Sequence, residues 1–250
     1  MTFTYGTIWG DYGDEKVTST TEDLGLVMGT RMVLPDGRVF RYSFSDGAAG
    51  SGTGVQSSAA LANHDSNLGV AAAAAVGAKS AEITLGATAA AEDRYANGYL
   101  FFNTAAGSGQ VYRIRQHDAI GSGGTGTINL MDGDALVEAL TTSSKAGLVL
   151  NPYMDVIPSP GGAQTGRTVG FATRDVADDA YFWAQTWGEA AIEADGTLVI
   201  FRPVRMSDGQ PGAVENYASQ TASEEQVVGF ATNVLAADEH FQFAFLTISP

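Results

Sequence analysis

The sequence predicts an all-β protein with little helix: a β-barrel or β-sandwich body with an extended, glycine-rich N-terminal region. Six Asp-Gly or Asn-Gly dipeptides punctuate the chain, and these residues accept the positive φ angles that tight hairpin turns require. Short runs rich in Val, Ile, Phe, Tyr and Thr stand beside most of these dipeptides, as in strands that flank turns. A five-residue motif, VGFAT, also occurs twice, each time before an acidic turn and an aromatic run.

The clearest predicted hairpin lies near the N-terminus, with strands at residues 32–34 and 39–44 around a Pro-Asp-Gly turn. Phe40, Tyr42 and Phe44 alternate along its second strand, so they share one face. A second hairpin is predicted from residues 190–192 and 197–201, around Asp195-Gly196. The remaining predicted strands cover residues 82–85, 99–103, 110–116, 127–131, 146–150, 168–173, 181–187, 227–232 and 241–248.

Helix candidates are few, and none has a strong pattern of caps at both ends. They are residues 57–62, the alanine-rich run 70–76 and residues 135–140. Residues 45–54 are almost all Gly, Ala and Ser, which predicts a loop or extended arm between an N-terminal hairpin and the main body. We therefore expect three segments: an N-terminal arm and hairpin (1–54), a central β domain (55–160) and a C-terminal β domain (161–250).

The VGFAT motif at residues 169–173 recurs at residues 228–232. The first copy is followed by Asp178-Asp179 and the second by Asp238-Glu239, and an aromatic strand follows each acidic turn. Two similar strand–turn–strand units predict a small barrel or two packed β-layers.

The composition disfavours several partners. The 250 residues include 13 Lys and Arg against 28 Asp and Glu, a net charge of −15, and they contain no cysteine. Such a chain is repelled by phosphate backbones and anionic lipid, so we expect no nucleic acid partner. The longest apolar run, residues 70–76, is far shorter than the roughly 20 residues of a membrane helix. The N-terminus has neither a basic nor an apolar region typical of a secretion signal, which predicts synthesis and folding in a cytoplasm.

The sequence motifs predict no catalytic, cofactor or metal site. His64, His117 and His240 have no second ligand at a metal-binding spacing, and we expect them to be exposed or in loops. The glycines at 121–126 match G-x-G-x-x-G, but strand-like runs on both sides predict a hairpin loop instead of a dinucleotide site. The acidic pairs Asp178-Asp179 and Glu224-Glu225 are typical of β-turns, and a β-barrel hydrolase with an acidic dyad is the weaker alternative.

Aromatic residues carry the strongest remaining signal. Large rings lie on both faces of the predicted strand 181–187, which therefore needs cover on both sides, in the centre of a barrel or at a subunit contact. The expected core or interface residues are Tyr181, Trp183, Trp187, Phe171, Phe230 and Phe241. The functional alternative is carbohydrate stacking on Trp183, Trp187 or Tyr181.

From about residue 30 to residue 250 the order of motifs resembles the large capsid decoration, or cement, proteins of tailed bacteriophages, particularly phages of marine bacteria. The motifs that carry this resemblance are residues 91–100, 109–114, 139–145, 151–153, 156, 169–171, 181–188, 195–196, 212–214 and 228–230. The C-terminal half, with its repeated VGFAT strands, is also similar to the small β-tulip head-stabilising proteins, which implies a β-tulip-like body with a C-terminal β-tulip-like domain over residues 161–250.

The resemblance implies an all-β protein that docks as a symmetric oligomer, most often a homotrimer, on the outside of a capsid built from an HK97-type major capsid protein. It implies a place on the outer surface of the virion and no catalytic residues. Residues 1–30 lie outside the matching region, and their acidic, Thr- and Ser-rich stretch is expected to be an arm that orders on the capsid.

Overall fold

The computed structural model describes residues 6–23, 26–217, 226–233 and 241–250. These residues form strands and one short 3-10 helix, Asp14–Lys16, which confirms the all-β class. The strands are β1 (Thr7–Trp9), β2 (Arg31–Val33), β3 (Val39–Phe44), β4 (Gly54–Gln56), β5 (Leu68–Val70), β6 (Ser80–Thr84), β7 (Tyr99–Thr104), β8 (Val111–Gln116), β9 (Thr125–Leu130), β10 (Lys145–Val149), β11 (Ile157–Pro158), β12 (Thr168–Ala172), β13 (Tyr181–Glu193), β14 (Pro203–Met206), β15 (Val214–Asn216), β16 (Val227–Ala231) and β17 (Phe241–Thr247).

The chain divides into two compact units, the sheet unit (Met1–Ser58 with Pro152–Pro250) and the barrel unit (Ala59–Asn151). This differs from the three consecutive segments expected from the sequence. The N-terminal 54 residues form no unit of their own because β3 pairs with β13 and β4 pairs with β12. The chain thus leaves the sheet unit once, builds the barrel, and returns at β11, which pairs with β4.

The barrel unit is a closed barrel in which β5 to β10 follow the order β10-β5-β6-β9-β8-β7. Side chains that alternate inward along these strands fill it, as small barrels require. Ile83, Leu100, Ile114 and Ile128 are fully buried there. Gly121, Gly123 and Gly124 lie in the predicted loop ahead of β9, whereas Gly126 is within β9, and β8 and β9 pair with each other.

Two of the three helix candidates are extended segments of the barrel unit. Ala74 and Leu140 form an isolated antiparallel bridge, and Gly77 donates its backbone N–H to the carbonyl of Leu136. The prediction of helix at 70–76 and 135–140 was wrong because these two segments satisfy each other's backbone groups. The third candidate, 57–62, is likewise not helical.

Both described histidines lie in loops of the barrel unit, but they are buried. His64 is fully buried, and its Nε2 lies 2.8 Å from the Thr88 carbonyl oxygen while its Nδ1 lies 2.5 Å from the Tyr95 hydroxyl. Tyr95 in turn donates its backbone N–H to Nε2 of His117 at 3.0 Å. Their loop positions agree with the expectation of exposed or loop histidines. Both rings are nevertheless buried, because each one bridges groups that would otherwise be buried without partners. His240 lies outside the described residues.

The sheet unit contains a sheet of eleven strands whose main path is β1-β2-β3-β13-β17-β16-β14-β15, with β12, β4 and β11 joined to it at the side. The predicted N-terminal hairpin is confirmed as β2 and β3. Phe40, Tyr42 and Phe44 belong to one hydrophobic cluster with Trp183, as their alternation predicted. Residues 45–54 do not separate this hairpin from a body, because Ser45 bridges Val156 and Ala49 bridges Val176 within the same unit.

The thirteen-residue strand β13 organises the sheet unit. It pairs with β3 from Tyr181 to Trp187 and with β17 from Trp187 to Glu193. A register shift occurs between Gln185 and Trp187, and Gly188 follows with a φ of 91°. An extra residue followed by a left-handed glycine is typical of a β-bulge, which bends a strand and interrupts its alternation.

The two halves of β13 have different environments. In the first half, Trp183 packs in the cluster around Phe40 and Tyr42, while Phe182 and Ala184 pack in a second cluster. Both faces of this half are therefore covered, as the sequence predicted. The cover comes from two hydrophobic clusters of the sheet unit and not from the barrel. In the second half buried residues alternate with exposed ones, so that one face remains accessible.

The second predicted hairpin, 190–192 with 197–201, was wrong. Residues 190–192 continue β13 and pair with β17, whereas residues 197–201 form no strand. Phe201 has a φ of 64°, which is outside the β region of backbone conformations, and it is 76% exposed. The long-range pairing of β13 with β17 replaces the local turn. The VGFAT repeat, in contrast, marks two antiparallel pairs, β12 with β13 and β16 with β17, both in the sheet unit.

Residues 6–23 of the expected N-terminal arm pack on the sheet unit within the chain itself, whereas residues 1–5, 24 and 25 lie outside the described residues. β1 pairs in parallel with β2, and Ser19 bridges Tyr181. Glu15 is 4% exposed and lies 3.5 Å from Arg38 in an ion pair. Backbone pairing and a buried carboxylate hold residues 6–23 against the rest of the sheet unit.

Substitution of Tyr95 by Phe tests the buried bridge in the barrel unit. The change removes the hydroxyl that meets Nδ1 of His64 and leaves that nitrogen buried without a donor. We expect Tyr95→Phe to lower the free energy of unfolding at pH 7 by about 1–2 kcal/mol, measured by urea denaturation. Tyr217→Phe, on the sheet unit, serves as the matched control, and an equal loss in both variants would contradict the bridge.

The same tyrosine predicts a specific alkaline response. Burial raises the pKa of Tyr95 to about 12 from its ordinary value of 10.0. The folded chain therefore retains a proton that the unfolded chain releases, so its stabilising effect is complete below pH 10 and is lost as the pH rises towards 12. Stability curves measured between pH 8 and pH 11.5 should fall more steeply for the wild type than for Tyr95→Phe, by on the order of 2 kcal/mol in total. Parallel curves would contradict this assignment.

Candidate functional site

The most unusual surface of the described residues is on the sheet unit, along β17. Phe241, Phe243 and Phe245 alternate with the fully or nearly fully buried Gln242 and Ala244. Because side chains on a strand point alternately to opposite faces, the three phenylalanines share the face that does not pack against the core. The buried face belongs to a cluster with Ile192 and Leu198.

Two more rings extend this face across the sheet. Trp187 on β13 contacts Phe245 edge to face, with ring centroids 5.4 Å apart. Phe230 on β16 pairs directly with Phe245, and their rings stack at 5.4 Å with an interplanar angle of 14°. We call these five residues, Trp187, Phe230, Phe241, Phe243 and Phe245, the aromatic face. Three adjacent strands therefore contribute to one continuous surface.

The apolar rings of the aromatic face are exposed to solvent, although burial is more favourable for such side chains. Phe241 is 53% exposed and Phe243 is 43% exposed, while Trp187, Phe230 and Phe245 are half-buried. The exposed Phe201 lies beside β16, since its backbone N–H donates to the carbonyl of Ala231. Contiguous apolar surface of this kind marks interaction sites in folded proteins.

Polar groups border the aromatic face. Glu189 and Glu193 pair across the strands with Phe245 and Phe241, and the Thr232 hydroxyl donates to a carboxylate oxygen of Glu189 at 3.0 Å. A cleft of about 510 Å³ lies at the Trp187 end. It is lined by Asp36, Gly37, Arg38, Trp187, Gly188 and Glu189 together with Phe243 and Phe245.

The cleft has a fixed pair of opposite charges. Nε of Arg38 donates to Oδ2 of Asp36 at 2.7 Å, and the Arg38 backbone N–H donates to Oδ1 at 3.1 Å. Partial burial acts to raise the pKa of Asp36, but the hydrogen bonds and positive charge of Arg38 outweigh burial, and the pKa lies below its ordinary value. An aromatic floor with a charged rim can receive an apolar side chain or a sugar ring.

The described part of the chain holds no group of three or more His, Cys, Asp or Glu side chains that could bind a metal ion. Asp178-Asp179 lies in the turn before β13, with Asp179 at a φ of 53°. The other predicted acidic pairs, Glu224-Glu225 and Asp238-Glu239, fall outside the described residues. Across the described ranges, no helix has the length and apolar character needed to cross a membrane.

The structure divides the aromatic residues expected from the sequence into two groups. Phe171 is 1% exposed and Trp183 is 8% exposed, so both are core residues, in two different clusters. Tyr181 is half-buried and packs against the cluster of Trp183. Trp187, Phe230 and Phe241 lie on the aromatic face. Sequence reasoning did not select Phe243 and Phe245, although a phenylalanine at every second position from 241 to 245 was a usable signal.

Comparisons of the chain with protein-family models, with curated proteins and with solved structures find no match.

Two phenylalanine substitutions distinguish surface from core. Phe243→Thr keeps a residue that favours strands and removes an exposed ring, so we expect the free energy of unfolding to change by less than about 1 kcal/mol. Phe171→Ala opens a cavity in the core and should lower it by about 3–5 kcal/mol. Denaturant titrations of both variants measure the difference. A loss for Phe243→Thr as large as that for Phe171→Ala would show that this ring is structural and not available to a partner.

Proposed function

We propose that this chain is a non-enzymatic structural protein of a tailed-phage virion, a homotrimeric decoration protein that binds an HK97-type major capsid protein on the outer capsid surface. The observation that carries the proposal is the exposed aromatic face of the sheet unit. The resemblance of residues 30–250 to capsid decoration proteins supplies the identity of the partner.

The physical task of a decoration protein fits such a face. A protein that clamps neighbouring capsid subunits stabilises the shell because it binds the assembled state and adds buried area to it. Interfaces of this type concentrate aromatic side chains at their centre and polar groups at their rim. The aromatic face, with Glu189, Glu193 and Thr232 beside its rings, has that arrangement.

The charge of the chain supports the outer side of a capsid. A net charge of −15 is repelled by packaged DNA, which lines the inner side of the shell. The same charge opposes association with other acidic surfaces, so the matching capsid surface is expected to be apolar or basic around its contact with the aromatic face.

Binding to capsids stripped of this protein tests the proposal. We expect purified wild-type protein to co-sediment with stripped capsids and to restore their resistance to heat. Phe243→Asp adds a charge at the centre of the aromatic face and should weaken co-sedimentation at least about tenfold. Val137→Asp adds the same charge at a valine of the barrel unit that is 64% exposed, and it should bind like the wild type.

The outcomes distinguish the decoration function of the protein from the role of the aromatic face as its contact. If the wild type neither binds capsids nor changes their heat resistance, the decoration function is wrong. If it binds and Phe243→Asp binds equally well, the function stands and the aromatic face is not the contact. Circular dichroism of each variant confirms that the fold is intact before binding is measured.

A second candidate function is carbohydrate binding, as in a head or tail appendage for host adsorption, and the cleft beside Trp187 favours it. Its half-buried indole lies next to Asp36, Arg38 and Glu189, and an aromatic platform with polar hydrogen-bonding groups suits a sugar ring. Trp183 is a poor platform because it is only 8% exposed.

A glycan array tests this candidate. Carbohydrate binding predicts selective retention of one glycan class, lost at least about tenfold in Trp187→Ala and kept in Trp9→Ala, whose ring is 79% exposed elsewhere on the sheet unit. An array on which the wild type retains nothing, or on which both variants behave alike, rejects the carbohydrate function.

A further inference from the structure

The barrel unit carries a second apolar surface, on the outside of its adjacent strands β10, β7 and β8. Val111 is 60% exposed, and Tyr99 and Val149 are exposed as well. Tyr99 pairs with Val149 on β10, and Phe101 pairs with Val111 on β8. Leu100, between the two rings in sequence, belongs to the barrel core, so Tyr99 and Phe101 share the outer face. We call Tyr99, Phe101, Val111 and Val149 the barrel face.

The two rings of the barrel face are held in place by their neighbours. A Cβ at Gly147 on β10 would collide with the Phe101 ring, so this ring occupies the space that a larger residue would fill. The guanidinium carbon of Arg113 lies 5.7 Å from the centre of the Tyr99 ring, in a cation–π contact. Groups that are already fixed lose less conformational entropy when a partner binds, which favours a contact at this face.

The charge of these three strands is opposite to that of the whole chain. β7, β8 and β10 contain Arg113, Arg115 and Lys145 but no Asp or Glu. Arg115 forms an exposed ion pair with Asp132 at 3.4 Å, and the strands remain positive after this pair is counted. The chain, in contrast, has 28 acidic residues against 13 basic ones. The barrel face is therefore an apolar surface with basic neighbours in an otherwise acidic protein.

A second copy of this chain has the chemistry that fits such a face. Two copies, each with a net charge of −15, repel each other at a distance. A stable contact between them therefore needs a surface on which cations and apolar groups replace carboxylates. The barrel face meets this condition, and the acidic remainder of a neighbouring copy is complementary to it in charge.

We propose that the barrel face is a subunit contact that binds an acidic surface of a second copy of this chain. Two barrel faces repel each other because both are basic, so the contact joins two different surfaces. Contacts between different surfaces do not form symmetric dimers, and they close into rings of three or more copies. The smallest such ring is a trimer. The inference rests on the homotrimer of the proposed function, to which it assigns a surface, and not on capsid binding.

Sedimentation equilibrium of the purified full chain tests for the ring. We expect the wild type to sediment as a trimer in the micromolar range and to dissociate towards the monomer on dilution. A wild type that stays monomeric at every concentration would overturn the inference. A dimer would overturn it as well, because two copies cannot close a ring of contacts between different surfaces.

Three variants locate the contact and test its charge. Val111→Asp adds a negative charge at the barrel face and should weaken association at least about tenfold. Val111→Lys adds a positive charge at the same position and should weaken association clearly less, because the facing surface is acidic. Val137→Asp, at a valine of the barrel unit that is 64% exposed and lies outside the three strands, should associate like the wild type. Circular dichroism confirms that each variant is folded.

The remaining outcomes separate the contact from the decoration function. Equal weakening by Val111→Asp and Val111→Lys would overturn the acidic surface as the occupant, and equal weakening by Val111→Asp and Val137→Asp would overturn the barrel face as the contact. Co-sedimentation with stripped capsids is measured on the same samples. A monomeric wild type that still binds capsids would overturn this inference alone. A trimer that dissociates in Val111→Asp but does not bind capsids would support it while the decoration function fails.

Discussion

The pairing of β13 with two different neighbours along its length is the constraint on which the sheet unit depends. Its first half is held by β3 and its second half by β17, and the two pairings meet at Trp187, which has a partner in each strand. The extra residue before Trp187 and the left-handed Gly188 allow one strand to serve both registers. A side chain at position 188 would meet Arg38 and would also force a φ that only glycine adopts easily.

The same bulge determines which aromatic rings are structural. Before it, Trp183 is packed among Met28, Met32 and Phe40 and is removed from solvent. After it, the strand alternates cleanly between a buried and an open face, and Trp187 joins the rings of β16 and β17. The aromatic-rich residues 181–187 of β13 therefore contribute to both a core and a surface. The interruption of alternation places Trp183 and Trp187 in different environments.

The sequence predicted the positions of many strands well and their pairing partners poorly. Alternating and β-branched runs located β3, β7, β8, β12 and β17 to within a few residues. The short strands β1, β4, β5, β11, β14 and β15 carry too little periodicity to be recognised alone, and they are defined by the strands that pair with them. The wrong predictions of a hairpin at 190–201 and a helix at 70–76 share one cause. Each pattern favours a local structure, but a distant segment pairs with the backbone instead.

What the sequence determined by itself is the chemistry of the molecule: an acidic, cysteine-free all-β chain whose aromatic residues are concentrated in the strands after the VGFAT motifs. Tertiary structure alone decided how those residues are used. It buried His64 and His117, folded the N-terminal stretch onto the sheet, and left Phe241 and Phe243 open to solvent. Alternation within a strand is a local property that the sequence carries. Which face meets a core, and which strand lies alongside, depends on contacts between residues far apart in the chain.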